Sequence, residues 1–250
     1  QKTADLVIVP TESVADRFLS VGYSRDQILV SGLCIESAKV RQAQDSYRLR
    51  LQRIADSEPL TGAFFSSGAE PSDHISKLLS AAQAAVAHGH RAIVFATKGK
   101  RLANLVQPMI AQADYPVRVI DTASEITAEL HGLTLVLHQN HREEAILSSR
   151  LFPEFDFFVA PSHERSNWAI GLGLPMFIVE PPKGSFAPLN RDLLLEHQVA
   201  MSLSENHAHA FGARLDSLRH RGQLVDMARA GWQGRDITGF ETIANHLAAR

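Results

Sequence analysis

The sequence predicts an α/β protein built on a doubly wound parallel sheet. Six or seven short apolar runs alternate with helix-length segments, a pattern that builds βαβ units with right-handed crossovers. The stretch from Phe157 to Asn190 shows it in miniature: a buried-strand run (Phe157, Phe158, Val159), a polar turn, a helix-length segment, a second apolar run (Met176 to Val179) and a polar loop opening another helix. Ligands of such sheets sit at the carboxyl ends of the strands. The turn at Pro161 to Arg165 and the loop at Pro181 to Asn190 are therefore expected at the binding edge.

In chain order, Asp5 to Val9 is an apolar run closed by Pro10, and Thr11 starts a helix carrying Val14, Phe18 and Leu19 at helical spacing until Gly22. Gln27 to Ser31 is the next strand. Glu36 to Ser57 carries Val40, Tyr47, Leu51 and Ile54 near helical spacing, with Arg48, Arg50 and Arg53 expected to face out and a break near Glu58-Pro59. Strands follow at Leu60 to Phe65, Arg91 to Ala96, Pro116 to Ile120 and Leu133 to Leu137. Between them lie helices at Pro71 to His88, with Pro at its first position and Asp73 in its first turn, at Arg101 to Gln112, and a short one at Ser124 to His131. A helix at Arg142 to Arg150 leads into the Phe157 stretch. A helix at Leu189 to His197, a strand at Val199 to Leu203 and further helices complete the chain, with breaks at Gly231, Gly234 and Gly239 before a last helix, Phe240 to Ala249.

The chain of 250 residues, 45% apolar, can fill a real core. A net charge of -2 without any block of like charge gives no nucleic-acid footprint and no polybasic membrane patch. The single Cys34 forms no internal disulfide and fits a reducing, cytoplasmic compartment. No apolar run reaches the ~20 residues of a bilayer span. The chain opens on Gln1 rather than Met, and a trimmed piece of a longer protein is expected.

Three sets of loop residues are candidate binding groups. Small residues at Ser66-Ser67-Gly68 let backbone approach a diphosphate, whose charge the following helix start favours by roughly 0.3–1 kcal/mol. The same residues also make a plain tight turn, and no GxGxxG or Walker pattern decides between the two. In His163-Glu164-Arg165-Ser166-Asn167 a carboxylate can accept from ribose hydroxyls while Arg165 or Ser166 meets phosphate. A capped helix start with solvated charges is the competing account. In the loop Lys183 to Asn190, Gly184 gives freedom, and Ser185 and Asn190 offer hydroxyl and amide to sugar or phosphate oxygens, or Asn190 caps the helix after it. The 12 histidines include His138 with His141 and His207 with His209, yet no HExxH or paired CxxC is present and no metal is expected. Gly171-Leu-Gly-Leu-Pro reads as a helix end. No GxSxG elbow is present and Cys34 has no neighbouring His, so nucleophilic hydrolysis is not indicated.

Several segments together resemble GT-B glycosyltransferases of the lipid-intermediate GlcNAc transferase and galactolipid synthase kind. Asp5-Leu-Val-Ile-Val-Pro, Gly22 and Gln27-Ile-Leu-Val-Ser-Gly look like the end of their acceptor domain. Phe65-Ser-Ser-Gly is similar to their Gly-Gly-Ser turn and Asp156-Phe-Phe-Val-Ala to their "aDlvi" strand, while Gly173-Leu-Pro-Met-Phe-Ile-Val-Glu-Pro and Asn190 match their "GlP.i..P....N" signature. The resemblance implies an end of the acceptor side at 1–35, a linker helix at 36–58, a nucleotide-sugar-binding Rossmann-like domain at 59–233 and a crossing helix at 234–250. It implies hexosyl transfer from a nucleotide-sugar, commonly UDP-linked, with no metal and no cofactor beyond the donor. Base and ribose would lie over His138 and the His163 to Asn167 loop, and the diphosphate against Ser66, Ser67 and the Ser185 to Asn190 loop. The partner implied is the remaining acceptor-domain part, in the same protein or in a partner subunit, which holds the usual catalytic base. The chain departs from the pattern at Trp168, where the family carries its ribose-binding Glu and for which Glu164 is the substitute, at Ala187 and Phe186 in place of polar residues, and at Ser66 in place of glycine. Two alternatives stay open: a sugar-nucleotide epimerase of the same fold, and a catalytically silent ligand- or partner-binding domain, which Trp168 and Ala187 favour.

Overall fold

The structure, a computed structural model, describes residues 4–56, 58–126, 130, 132–232 and 236–249. A small parallel pair comes first, Val7–Val9 (β1) beside Ile28–Val30 (β2), joined by helix Glu12–Ser20. The Thr11 hydroxyl accepts from the Val14 N–H and starts that helix. Val9, Ala15 and Ile28 make its core.

The main sheet has seven strands: Thr61–Phe65 (β3), Arg91–Thr97 (β4), Val117–Ile120 (β5), Leu133–His138 (β6), Phe157–Ala160 (β7), Met176–Val179 (β8) and Ala200–Leu203 (β9). Every pairing is parallel, in the order β5-β6-β4-β3-β7-β8-β9. This is the doubly wound, Rossmann-like α/β architecture that the alternation predicts. Side chains alternate across the sheet, so Phe64, Val94, Phe157 and Phe177 enter one core while Phe65, Phe95, Phe158 and Ile178 enter the other. Helices Ser72–Ala87, Arg101–Ala111 and Phe211–His220 cover the first face, and His141–Leu151, Ser166–Leu172 and Ala187–Glu196 the second. Strands buried on both faces are apolar at most positions, which is why they read as near-continuous runs.

The central β3 comes first in this sheet; the chain then builds β4 to β6 on one side and returns past β3 to β7 on the other. That reversal opens a crevice between the carboxyl ends of the strands flanking it.

Several expectations need correction. The segment from Glu36 to Ser57 is two helices, Ser37–Arg41 and Ala43–Ala55, parted at Gln42. Arg48 is exposed, but Arg50 is fully buried and Arg53 is largely so. Arg50 donates through Nε to the Phe155 carbonyl (2.9 Å) and through Nη1 to those of Leu172 (3.1 Å) and Gly173 (3.0 Å), while Arg53 Nε meets Asp156 at 2.8 Å. These groups close loop ends whose carbonyls have lost helix or strand partners. Of the helix expected at Ser124 to His131, the described part opens on a 3₁₀ turn at Ala123–Glu125, and residues 127–129 and 131 lie outside the described residues, as does the break at Gly234. The helix expected from Leu189 begins at Ala187, so Asn190 lies inside its first turn and is not its cap. Gly173 ends helix Ser166–Leu172 in the left-handed region, φ 58°, where a Cβ would meet the Ala228 carbonyl at 2.6 Å.

Candidate functional site

A pocket of about 320 Å³ occupies the crevice, and β3, β4, β6 and β7 each deliver a loop to it. After β3 comes the Ser66-Ser67-Gly68 turn. Lys100, after β4, donates to the Gly68 carbonyl (3.2 Å), and the buried Glu70 accepts from the Leu102 N–H (3.0 Å), so the turn is tied to the start of helix Arg101–Ala111. A Cβ built at Gly68 would meet nothing within 4 Å, which leaves this turn facing open space.

After β6, Asn140 caps helix His141–Leu151 by accepting from the Glu143 N–H (3.0 Å). One turn in, Glu144 faces the pocket. The loop after β7 supplies Arg165, which pairs with Glu144, meets Glu164 at 2.9 Å and lies 4.4 Å above the centre of the Phe65 ring. Glu144 also stands 3.8 Å from His138 Nε2 and 3.9 Å from His141 Nδ1. Burial pushes the His138 imidazole below its usual pKa, and the Glu144 carboxylate pulls partly the other way. The pocket therefore holds two cations and two carboxylates among hydroxyl and amide groups: Arg165 is paired with Glu144 and Glu164, which leaves Lys100, beside the Gly68 carbonyl, as the cation placed to meet an oxygen-rich anion.

Of the residues singled out from sequence, Ser66, Ser67, Gly68, His138, His163, Glu164 and Arg165 line this pocket. Ser166, Asn167 and Asn190 line an adjoining groove, which shares His163 and Glu164 with it. Asn190 Nδ2 donates to the Ser162 carbonyl (3.0 Å) and Ser162 Oγ to that of Ala187 (2.8 Å), lashing the loop after β7 to the one after β8. Gly184 and Ser185 are exposed in that second loop, where a Cβ at Gly184 would come within 4.0 Å of His163. Lys183 holds the loop to Asp73 at 2.6 Å and thereby keeps the Asp73 carboxyl below its ordinary value. Sequence reasoning did not single out Lys100, Asn140 or Glu144, and weighed His141 only as a metal ligand. The signal available was the Asn140-x-x-Glu143 cap directly after a strand, which places a helix start at the same edge.

Trp168 does not reach the ligand side. It is 4% exposed, with ring centres of Phe65, Phe158 and Phe152 at 5.6, 5.8 and 5.9 Å, and the buried Lys39 amine lies 4.7 Å over its face. Lys39 donates to Ser148 Oγ (3.1 Å) and Ser149 Oγ (2.9 Å) and pairs with Glu36 at 3.3 Å. Among the described residues no group of three or more His, Cys, Asp or Glu is placed to hold a metal ion, and no helix is long and apolar enough to cross a membrane.

No protein-family model matches the chain, and no curated protein sequence does. Solved structures match its fold. S. aureus MnaA in a co-structure with UDP has a TM-score of 0.59 at 13% identity over 98% of this chain and 60% of that one. Neisseria meningitidis UDP-GlcNAc 2-epimerase bound to UDP-GlcNAc has a TM-score of 0.54 at 12% identity over 98% and 61%, and another UDP-N-acetylglucosamine 2-epimerase one of 0.52 at 12% over 99% and 59%. The GT-B-like fold is common to all of them. The chain spans about three fifths of the length of these proteins.

Proposed function

We propose that the crevice pocket binds a nucleotide-sugar, UDP-linked, without a metal ion. The observation that carries this reading is the pocket's position at the reversal of strand order, with the open Gly68 turn, Lys100 and Arg165 around one volume. The diphosphate lies against Ser66, Ser67 and Gly68, where the Lys100 amine faces its charge. Base and ribose lie over His138 and His163, and Glu164, 63% exposed at its side chain, supplies the ribose carboxylate that Trp168 does not. From the β8 side Asn190 positions the loop after β7 by donating to the Ser162 carbonyl, and Gly184 lies beside His163, while Ser185 is exposed outside the pocket lining.

The reaction we assign first is hexosyl transfer: an acceptor hydroxyl oxygen bonds to the anomeric carbon as the bond from that carbon to the diphosphate oxygen breaks, UDP leaves with the electron pair, and the hydroxyl proton passes to a base in the portion that this chain does not span. Epimerisation of the same donor is the second reading, favoured by the UDP-GlcNAc 2-epimerases that share the fold. Both need the portion of those longer proteins that this chain does not span. A bound UDP at 100 times its Kd should stabilise the chain by about 2.7 kcal/mol, roughly 5–10 °C in Tm. Gly68→Asp puts a carboxylate into open space where the diphosphate would lie, so it should abolish that shift and leave the unliganded Tm in place. A chain whose Tm ignores UDP and UDP-sugars overturns the reading. With UDP-GlcNAc and the complete protein, an epimerised sugar in the proton NMR spectrum selects the second reaction, and UDP release that requires an added acceptor selects the first.

A further inference from the structure

Arg165 is the second cation of the crevice pocket, and carboxylates of the protein itself already hold it. It is 8% exposed, its Nη2 pairs with Glu144 and its Nη1 meets Glu164 at 2.9 Å. Both carboxylates line the same pocket, so Lys100 and Arg165 stand against Glu144 and Glu164. An anion entering a lining so balanced gains little from its charge. We infer that Glu144 is an internal competitor for Arg165, a positioning residue that holds the guanidinium until a phosphoryl group arrives and then turns to His138 and His141. That the arriving group belongs to a nucleotide-sugar rests on the function proposed above; the exchange of partners at Arg165 does not.

The geometry of Glu144 comes first. Its Oε1 is on Arg165, while its Oε2 stands 3.8 Å from His138 Nε2 and 3.9 Å from His141 Nδ1. Those two separations are too long for hydrogen bonds and short enough to close once an imidazole carries a proton. Arg165, for its part, is placed without Glu144: it lies 4.4 Å above the Phe65 ring centre and keeps Glu164 on Nη1. The imidazole of His138 is the responsive group, because burial disfavours its charged form and the Glu144 carboxylate opposes that effect. The charged and titratable groups around it are His141, Glu143 and Glu144 on helix His141–Leu151, His163, Glu164 and Arg165 after β7, and Lys100 after β4. Beside them Lys98 is paired with Asp121 at 2.5 Å. When a phosphoryl oxygen replaces Glu144 on Arg165, the released carboxylate and the incoming negative charge both favour imidazolium, and His138 takes a proton from the buffer. An anion that raises an imidazole pKa binds more tightly as pH falls.

Titration calorimetry of the chain with UDP-GlcNAc, whose diphosphate diester does not itself titrate near neutral pH, tests the exchange. Binding at pH 6.5 in two buffers of different ionisation enthalpy should show net proton uptake, and affinity should rise about threefold or more from pH 8 to pH 5.5. Glu144→Gln should bind about tenfold more tightly at pH 8, because one charge-assisted hydrogen bond to Arg165 is no longer contested. It should also lower the His138 imidazole pKa, read by NMR without ligand. His138→Gln should reduce the proton uptake, which keeps the inference open to test should Glu144→Gln not fold. A Glu144 that only supports the structure gives the opposite sign, since a misplaced Arg165 weakens binding. Equal or weaker binding by folded Glu144→Gln, or binding to the unsubstituted chain without proton uptake, overturns the inference and leaves the nucleotide reading standing. Sulfate, followed through the Arg165 Nε–H signal, separates the two in the other direction. Sulfate binding that Glu144→Gln tightens, in a chain that ignores UDP-GlcNAc, breaks only the nucleotide reading, and sulfate binding that the variant leaves unchanged breaks this inference as well.

Discussion

Trp168→Ala separates packing from ligand binding at the position where a nucleotide-sugar enzyme of the resembling family would present a carboxylate. The indole is 4% exposed, touches Phe65, Phe152 and Phe158, carries the Lys39 amine over its face and reaches the Glu36 carboxylate through its N–H at 3.4 Å. Removing it leaves a cavity among rigid rings that cannot collapse, and core Trp→Ala changes of this kind cost about 3–5 kcal/mol. The buried Lys39 also loses its π partner while staying desolvated, which places the cost at the upper end. For a chain of this length that is a fall in Tm of roughly 6–20 °C. Urea unfolding followed by circular dichroism should show a lower midpoint with an unchanged slope. Below the melting range, the Kd for UDP should stay within about threefold of the unsubstituted chain, a difference under 1 kcal/mol. A cost below 1 kcal/mol, or UDP affinity lost tenfold in folded protein, would falsify the account of Trp168 as a core residue.

Two further outcomes follow from buried polar groups. His74, His90 and His138 are all held below the ordinary imidazole pKa, first by burial. The unfolded chain therefore takes up protons near pH 6.5 that the folded chain does not, so stability is complete above that pH and falls as pH drops toward the folded values. Each such proton adds about 1.4 kcal/mol per pH unit to the slope, and thermal melts from pH 8 to pH 5 that show no decline would contradict it. Arg50→Met keeps the volume but strips the donors from the carbonyls of Phe155, Leu172 and Gly173. Offset by relief from burying a cation, the net loss should be about 3 kcal/mol in chemical denaturation, and a neutral substitution would show that those carbonyls find other partners.

The main elements were readable in the chain because each rests on local chemistry. A strand covered on both faces is apolar along most of its length: β7 and β8 are wholly so, and β3, β4 and β6 are so apart from Thr61, Arg91, Thr97, Thr134 and His138. The reversal of strand order then follows the general rule for ligand crevices, so the turns at Ser66 and His163 could be assigned to one edge before any coordinates. The break at Gln42 and the 3₁₀ turn at Ala123–Glu125 were not readable, since each depends on what the helix packs against.

The direction a polar side chain takes belongs to the tertiary structure. Arg48 and Arg50 sit two positions apart in one helix with the same chemistry, yet one meets solvent and the other fills the interior, because Phe155, Leu172 and Gly173 bring their carbonyls from more than a hundred residues away. The same holds for Glu144, which enters the pocket only because Arg165 arrives from another strand, and for Asn190, whose amide Ser162 claims. The sequence by itself determined the layered sheet and the edge where a ligand can sit, because periodicity and turn chemistry act over a few residues. Which groups line that edge, and that Trp168 is a core residue, was decided by contacts between segments far apart in the chain, where long-range pairing and desolvation outweigh local preference.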